Sequence, residues 1–362
     1  MVTQQHPHRP FGLAARPLAV TLATGTAGGA LVTLLDVPLA WLIGAMAATI
    51  LLGLAGGKPH LPNTLRAVMV AILGVMIGSA FRPEIVNDMT SWWTSVPVML
   101  GFVGLASAVT FFYLRKVEGF DHPTAFFAST PGGMGEMTLM GDAFGGDARV
   151  ISIIHAFRVG IVVGAVPIII SLSGGAGESA SQAVPAALSP PSMDMIDVVI
   201  LGSCIALGWP LAAVIGMPAA SFAGPMVISA LAHLIGLSYA SPPQILVTAA
   251  QIVLGIAIGL RFAEGSSKGL GRVAIVATCL AAGVVTAAAI LGWALAPILG
   301  IDRVELILAL APGGVAEMSL VALSIGVGTA YISAMHIVRI GLIVTILPFV
   351  YRYASDRRPP GS

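Results

Sequence analysis

The chain has 362 residues, of which 57% are hydrophobic and only 9% charged, with a mean hydropathy of +0.97 and a formal net charge of +1. Soluble domains carry roughly 25% charged residues, so a water-soluble globule is excluded. The absence of a basic arm or helix excludes a nucleic-acid surface.

Apolar runs near the roughly 17 to 25 residues that cross a bilayer recur at 18–35, 38–55, 64–81, 93–114, 149–172, 198–215, 218–236, 244–260, 273–299 and 330–351, which predicts an all-α polytopic membrane protein. The first run follows a tail, MVTQQHPHRPFGLAARP, and leads straight into further runs, so it reads as a retained helix rather than a signal peptide. Between the fourth and fifth runs stands STPGGMGEM, positions 129–137. After the fifth comes a small-residue, proline-rich linker, SGGAGESASQAVPAALSPPS. Between the ninth and tenth runs stands LAPGGVAEM, positions 310–318. Cys204 and Cys279 lie inside apolar runs without CxxC or Cys/His spacing and read as buried packing residues.

The two PGG segments belong to an internal repeat. Sliding the sequence by 181 positions aligns 131–167 with 312–348 without a gap, and 14 of the 37 positions are identical. The matches include Glu136/Glu317, His155/His336, Arg158/Arg339 and Pro167/Pro348, with Gly74/Gly255 and Gly78/Gly259 upstream. Duplication is the simplest account. It gives a cytoplasmic tail 1–17, membrane repeat 18–172, linker 173–197, membrane repeat 198–351 and a second cytoplasmic tail 352–362.

Loop charge orients the repeats. If each PGG segment re-enters rather than crosses, each half has five crossings, and 13 Lys and Arg residues fall inside against 2 outside, Arg82 and Arg303. If the segments cross, the split is 10 against 5. The positive-inside rule favours the first arrangement. An odd number of crossings inverts the second half, as in inverted-repeat transporters. The expected fold is thus two inverted repeats of about five transmembrane helices, each with a re-entrant or broken PGG helix, and both termini cytoplasmic.

About nine residues precede Pro131 and about twelve follow Gly133, too few at 1.5 Å per residue for either arm to cross a core of about 30 Å. Proline and glycine leave unpaired backbone groups at membrane depth, tolerated only beside protein or a water-lined cavity. The helix start after each break suits an anion, and the carbonyls before it suit a cation. Candidate substrate- or ion-binding residues are therefore Pro131, Gly132, Gly133, Glu136, His155 and Arg158, with Pro312, Gly313, Gly314, Glu317, His336 and Arg339. Each glutamate reads either as a structural cap or as a cation site, since intramembrane acids mark pathways. His155/Arg158 and His336/Arg339 share a helix face at i, i+3, and each arginine needs a partner: a glutamate or a substrate carboxylate. The histidines could relay protons or simply pack. Ser152 and Ser333 extend the same stripe.

No HExxH, GxxxxGK[ST] or Rossmann glycine pattern is present, and the seven histidines are scattered, so neither a metal centre, a cofactor nor an enzyme is expected. The duplicated PGG-x-x-E-M…H-x-x-R pattern, with DVPLAWLIG in the first half and the looser GMPAASFAG in the second, resembles the bacterial AbrB-type integral membrane protein family. That family also carries an ammonia monooxygenase label and is distinct from the soluble DNA-binding regulator of the same name. The resemblance covers nearly the whole chain and implies a bacterial inner-membrane protein, with names pointing to a regulator of gene expression or an ammonia oxidiser. The architecture is also similar to the citrate and glutamate sodium symporters, by fold analogy alone. The expectation is a secondary transporter for a small anionic solute coupled to protons or sodium, with lipid as its surroundings and a homodimer compatible with the architecture. The alternative is a membrane regulator without transport, and ammonia oxidation ranks last.

Overall fold

A computed structural model describes residues 11–85, 89, 91–172, 194–265 and 271–356. The outer parts of both tails and most of the linker lie outside the described residues. Within them the chain is helical throughout. The first half contains α1 (Phe11–Thr33), α2 (Ala40–Leu54), α3 (Asn63–Gly78), α4 (Ser95–Lys116), α5 (His122–Ser129), α6 (Met134–Ala143) and α7 (Ala148–Leu172). The second contains α8 (Met195–Val214), α9 (Ala220–Leu234), α10 (Gln244–Gly265), α11 (Gly271–Leu299), α12 (Arg303–Leu310), α13 (Val315–Ser324) and α14 (Thr329–Asp356). Each of the seven elements in one half has its counterpart in the other.

Six helices are long and apolar enough to cross a membrane: Ser95–Lys116, Ala148–Ile170, Met195–Val214, Gln244–Phe262, Gly271–Leu299 and Thr329–Tyr351. Helices α2, α3 and α9 are apolar but shorter. The buried hydrophobic residues form one main cluster drawing on both halves. Cys204 is buried as expected, but Cys279 is exposed, because its side of α11 faces away from the protein. On an apolar helix, that side can meet lipid without cost.

The halves interlock reciprocally. Helix α3 lies along α9, and α10 lies along α2. Closeness at both crossings depends on glycine. A Cβ at Gly74 would collide with the Phe222 carbonyl, and one at Gly78 with the Met226 carbonyl and Ser229. In the counterpart crossing, Gly255 meets the Leu42 carbonyl, and Gly259 meets the Met46 carbonyl and Thr49. Ser229 Oγ donates across the first crossing to the Val75 carbonyl at 2.9 Å. Such exchange, in which element i of one half meets j of the other and vice versa, is the contact pattern of a two-fold relation. The turns before α2 and α9 repeat even a rare backbone state, since Leu39 and Ala219 both have positive φ, 55° and 51°. Non-glycine residues seldom adopt it, so its appearance twice supports a common origin.

Each PGG segment folds back on itself. Asp121 caps α5, accepting from the Thr124 N–H at 2.8 Å and from Thr124 Oγ1 at 2.6 Å. The backbone N–H of Asp147, just beyond α6, donates to Thr124 Oγ1 at 2.7 Å. The way in and the way out of the segment are thus joined, and the Phe127 and Phe144 rings stack between the arms at 5.7 Å. In the second half Asp302 caps α12, and the Gly328 N–H donates to Glu305 Oε1 at 2.9 Å. Arms of 8 and 10 residues reach about 12 and 15 Å, half the thickness of an apolar core.

Substituting alanine at Gly74 or Gly255 should destabilise the protein by about 1–3 kcal/mol through overpacking. The same change at Gly104, where nothing lies within reach of a new Cβ, should be neutral or slightly stabilising, as helix propensity favours alanine. Thermal unfolding of the purified variants checks both.

Candidate functional site

The local chemistry of each break explains its sequence. Gly133 and Gly314 occupy the N-cap positions of α6 and α13 with ordinary extended backbone, φ −61° and −77°. Left-handed geometry is therefore not what selects glycine here. Space is. A Cβ at Gly133 would run into the Glu136 carboxylate, and one at Gly314 into the Glu317 carboxylate. A Cβ at Gly132 or Gly313 would strike the side chain of Met137 or Met318. The third residue of each short helix thus turns its carboxylate back over the helix start. The fourth, fully buried in both copies, plugs the space behind it. PGG-x-x-E-M is one folded unit.

The two units meet. A cavity of about 470 Å³ is lined by Gly132, Gly133 and Glu136 from the first hairpin, and by Pro312, Gly313, Gly314 and Glu317 from the second. His155 and Arg158 of α7 also face it. Pro131, by contrast, backs a smaller cavity on the far side of the tips, together with Pro312, Arg158 and Arg339. His336 is fully buried and lines neither of these cavities.

The arginines take different partners. Arg339 is 0% exposed and donates to the Ala311 carbonyl at 2.8 Å and to the Gly313 carbonyl at 2.5 Å. It thereby ties together the backbone on either side of Pro312, adding to the bond that the Ala311 carbonyl already accepts from the Gly313 N–H at 3.0 Å. Its counterpart Arg158 does not reach the equivalent positions, Thr130 and Gly132. Instead its Nη2 donates to His155 Nδ1 at 2.5 Å. Because a guanidinium can only donate, His155 Nδ1 must accept, and the ring proton must sit on Nε2, which donates to the Phe127 carbonyl at 3.0 Å. His155 is thereby held as one neutral tautomer. His336 Nδ1 instead donates to the Ile332 carbonyl within its own helix at 3.0 Å.

Among the described residues neither arginine forms an ion pair with Glu136 or Glu317, contrary to the pairing that sequence suggested. For Arg339 the break's own carbonyls are the nearer acceptors and for Arg158 the His155 ring is, while each glutamate is folded over its own helix start. Carbonyls expected to cradle a cation are, in the second hairpin, occupied by the protein's own guanidinium. Ser333 is buried and bonded to Ser319 at 2.6 Å, while Ser152 lies against the Met134 sulfur at 4.0 Å. Sequence reasoning missed Arg66 and Arg261, counting them as loop charges. Both line the large cavity, and the available signal was that each lies within a helix rather than beyond its end.

Removing the second brace should cost more than removing its counterpart. Arg339→Gln loses two hydrogen bonds from a charged donor to buried carbonyls, worth about 1.5–3 kcal/mol each, and should destabilise by about 3 kcal/mol or more. Arg158→Gln, losing one bond to a histidine, should cost less than half of that in the same thermal denaturation assay.

A family model described as "Transition state regulatory protein AbrB" matches residues 41–355. The chain is also 24% identical over 353 residues to "Uncharacterized protein YhjN" of Bacillus subtilis (strain 168), covering 91% of each chain. It is 25% identical over 334 residues to "Putative regulator AbrB" of Escherichia coli (strain K12), covering 90% of this chain and 92% of that one. The family match spans the α2-to-α14 frame, both glycine breaks and both arginine-bearing helices, and the protein belongs to the AbrB family.

Proposed function

We propose that this protein is a secondary transporter of a small anionic solute, coupled to protons or sodium, in the bacterial inner membrane. The observation that carries the reading is the convergence of both interrupted hairpins, one from each half, on a single cavity of about 470 Å³ that holds two carboxylates and three guanidinium groups. Broken helices facing each other across a pseudo-two-fold axis are how transporters build a solute site at half depth. A chain that only needed to hold a fold in lipid would gain nothing from two such breaks, since irregular backbone in a bilayer is tolerated only around a cavity or within protein.

The roles follow from chemistry. Glu136 and Glu317 exchange the coupling cation, being the carboxylates that reach the cavity. Arg158, Arg66 and Arg261 supply the positive surface that selects an anion. Pro131, Gly132 and Gly133, with Pro312, Gly313 and Gly314, shape the tips. In the orientation that the positive-inside rule favours, both termini are cytoplasmic and the halves are inverted. The cavity then opens inward, towards Arg66 at the start of α3 and Arg261 near the end of α10. Unequal packing supports a moving part. Helix α11 of the second half lies along α7 of the first, whereas the equivalent α4 of the first touches α14 of the second at few points, so the two equivalent contacts between the halves are unequally close.

A second reading has the family's printed names in its favour: a membrane sensor that alters gene expression without moving a solute. Proteoliposomes loaded with a panel of carboxylates, amino acids and ammonium separate the two. Transport predicts uptake of at least one solute down an imposed proton or sodium gradient. A Glu136→Gln, Glu317→Gln double variant should reduce it at least about tenfold, the effect of roughly 1.4 kcal/mol in the barrier. No uptake across the panel, with the double variant still supporting a regulatory phenotype in cells, would favour the sensor.

A further inference from the structure

We infer that a single small anion, or one anionic oxygen of a carboxylate, binds between Arg158 and Arg339 behind the hairpin tips, in a small cavity that shares Arg158 and Pro312 with the large one. The place is a cavity of about 30 Å³, lined by both arginines, Pro131, Pro312, Ser107 and Ser129. Its size admits one or two waters or one small ion. Among the described residues no aspartate or glutamate lines it.

Three of its lining residues have a buried polar atom that remains without a partner: Arg158 Nε, Arg339 Nε and Ser107 Oγ. They come from α7, α14 and α4, so the site exists only where the two halves meet. Arg339 is fully buried, and its terminal nitrogens are committed to the Ala311 and Gly313 carbonyls. Its Nε is the nitrogen left without a partner among the described residues. Arg158 likewise gives one terminal nitrogen to His155. Arg339 is fully buried and faces this apolar-walled space rather than the large cavity where Glu136 and Glu317 lie, and an uncompensated buried charge costs several kcal/mol. Water could fill the volume and accept these hydrogen bonds, but it would leave the charge uncompensated. An anion does both, and bonds from charged donors to an anionic acceptor are about twice as strong as neutral ones.

The inference deepens the transport reading by placing the solute's anionic end between the two halves, where it would bridge the elements that must move. It is nonetheless tested without transport, so either can fail alone. The purified protein is kept in sodium gluconate and titrated with bromide and, separately, formate. Two quantities are read: the unfolding temperature, and the rate at which phenylglyoxal modifies Arg158, resolved by peptide mapping. The site predicts a saturable rise in unfolding temperature and saturable protection of Arg158. Arg158→Gln should weaken apparent affinity at least about tenfold, and Ser107→Ala should weaken it about tenfold, as for a hydrogen bond to a charged acceptor. Response to bromide and formate alike identifies a site for any single anionic atom, and response to formate alone identifies a carboxylate site. If neither anion gives saturable stabilisation or protection in the unmodified protein, water is the occupant and the inference is overturned. Because Arg158 borders both cavities and Ser107 only this one, Ser107→Ala assigns the binding: an affinity unchanged by it places the anion in the large cavity and overturns the inference, even if Arg158→Gln misfolds.

Discussion

The structure depends on how two interrupted helices satisfy their own backbone inside an apolar protein. Ending a helix at a proline and restarting it after two glycines strands carbonyls on one side and N–H groups on the other, each costly to bury unpaired. On the N–H side Glu136 and Glu317 fold over Gly133 and Gly314, bringing negative charge to the positive end of each short helix. On the carbonyl side the chain answers from a distance, through a side chain of the following long helix: Arg339 on Ala311 and Gly313, and His155 on Phe127. This explains why the histidine and arginine keep a fixed distance from the PGG break in both halves. They are the far ends of hydrogen bonds that the break requires.

Two copies of one motif in two arrangements carry a second consequence. The first hairpin is held through its histidine, with the arginine turned towards the cavities. The second is held through its arginine, with the histidine bonded within its own helix. The shared proline, glycines, histidine and arginine are thus compatible with both arrangements, and where two such states differ by only a few kcal/mol an equilibrium between them responds to a ligand. On the transport reading, this is the bistability that alternating access needs, built into the element that touches the solute.

Much of this was legible in the sequence. Composition and apolar runs gave a helical membrane protein because every backbone group in lipid must be paired internally. The fixed offset of 181 exposed the duplication. The short arms on each side of Pro131 and Pro312 ruled out a crossing by either one, and their closure into hairpins follows from Thr124 and Glu305. Those closing bonds were not legible, because a threonine in one half does the work of a glutamate in the other and no shared motif marks them. Nor were the partners of Arg158 and Arg339. Charge alone suggests a carboxylate, whereas the three-dimensional break offers carbonyls at shorter range. Arg66 and Arg261 escaped because a charge near a helix end looks like a loop charge until the fold turns it towards a cavity.

The central claim is that the two glycine breaks, 181 residues apart, face each other across one cavity. Cysteines placed at Gly135 and Ala316, both of which line it, in a background lacking Cys204 and Cys279, test this directly in native membranes with a short bifunctional thiol reagent. An intramolecular cross-link between G135C and A316C, identified by mass spectrometry, is the predicted result. If both thiols react singly but no cross-link forms within one chain, the hairpins do not meet and the shared site does not exist.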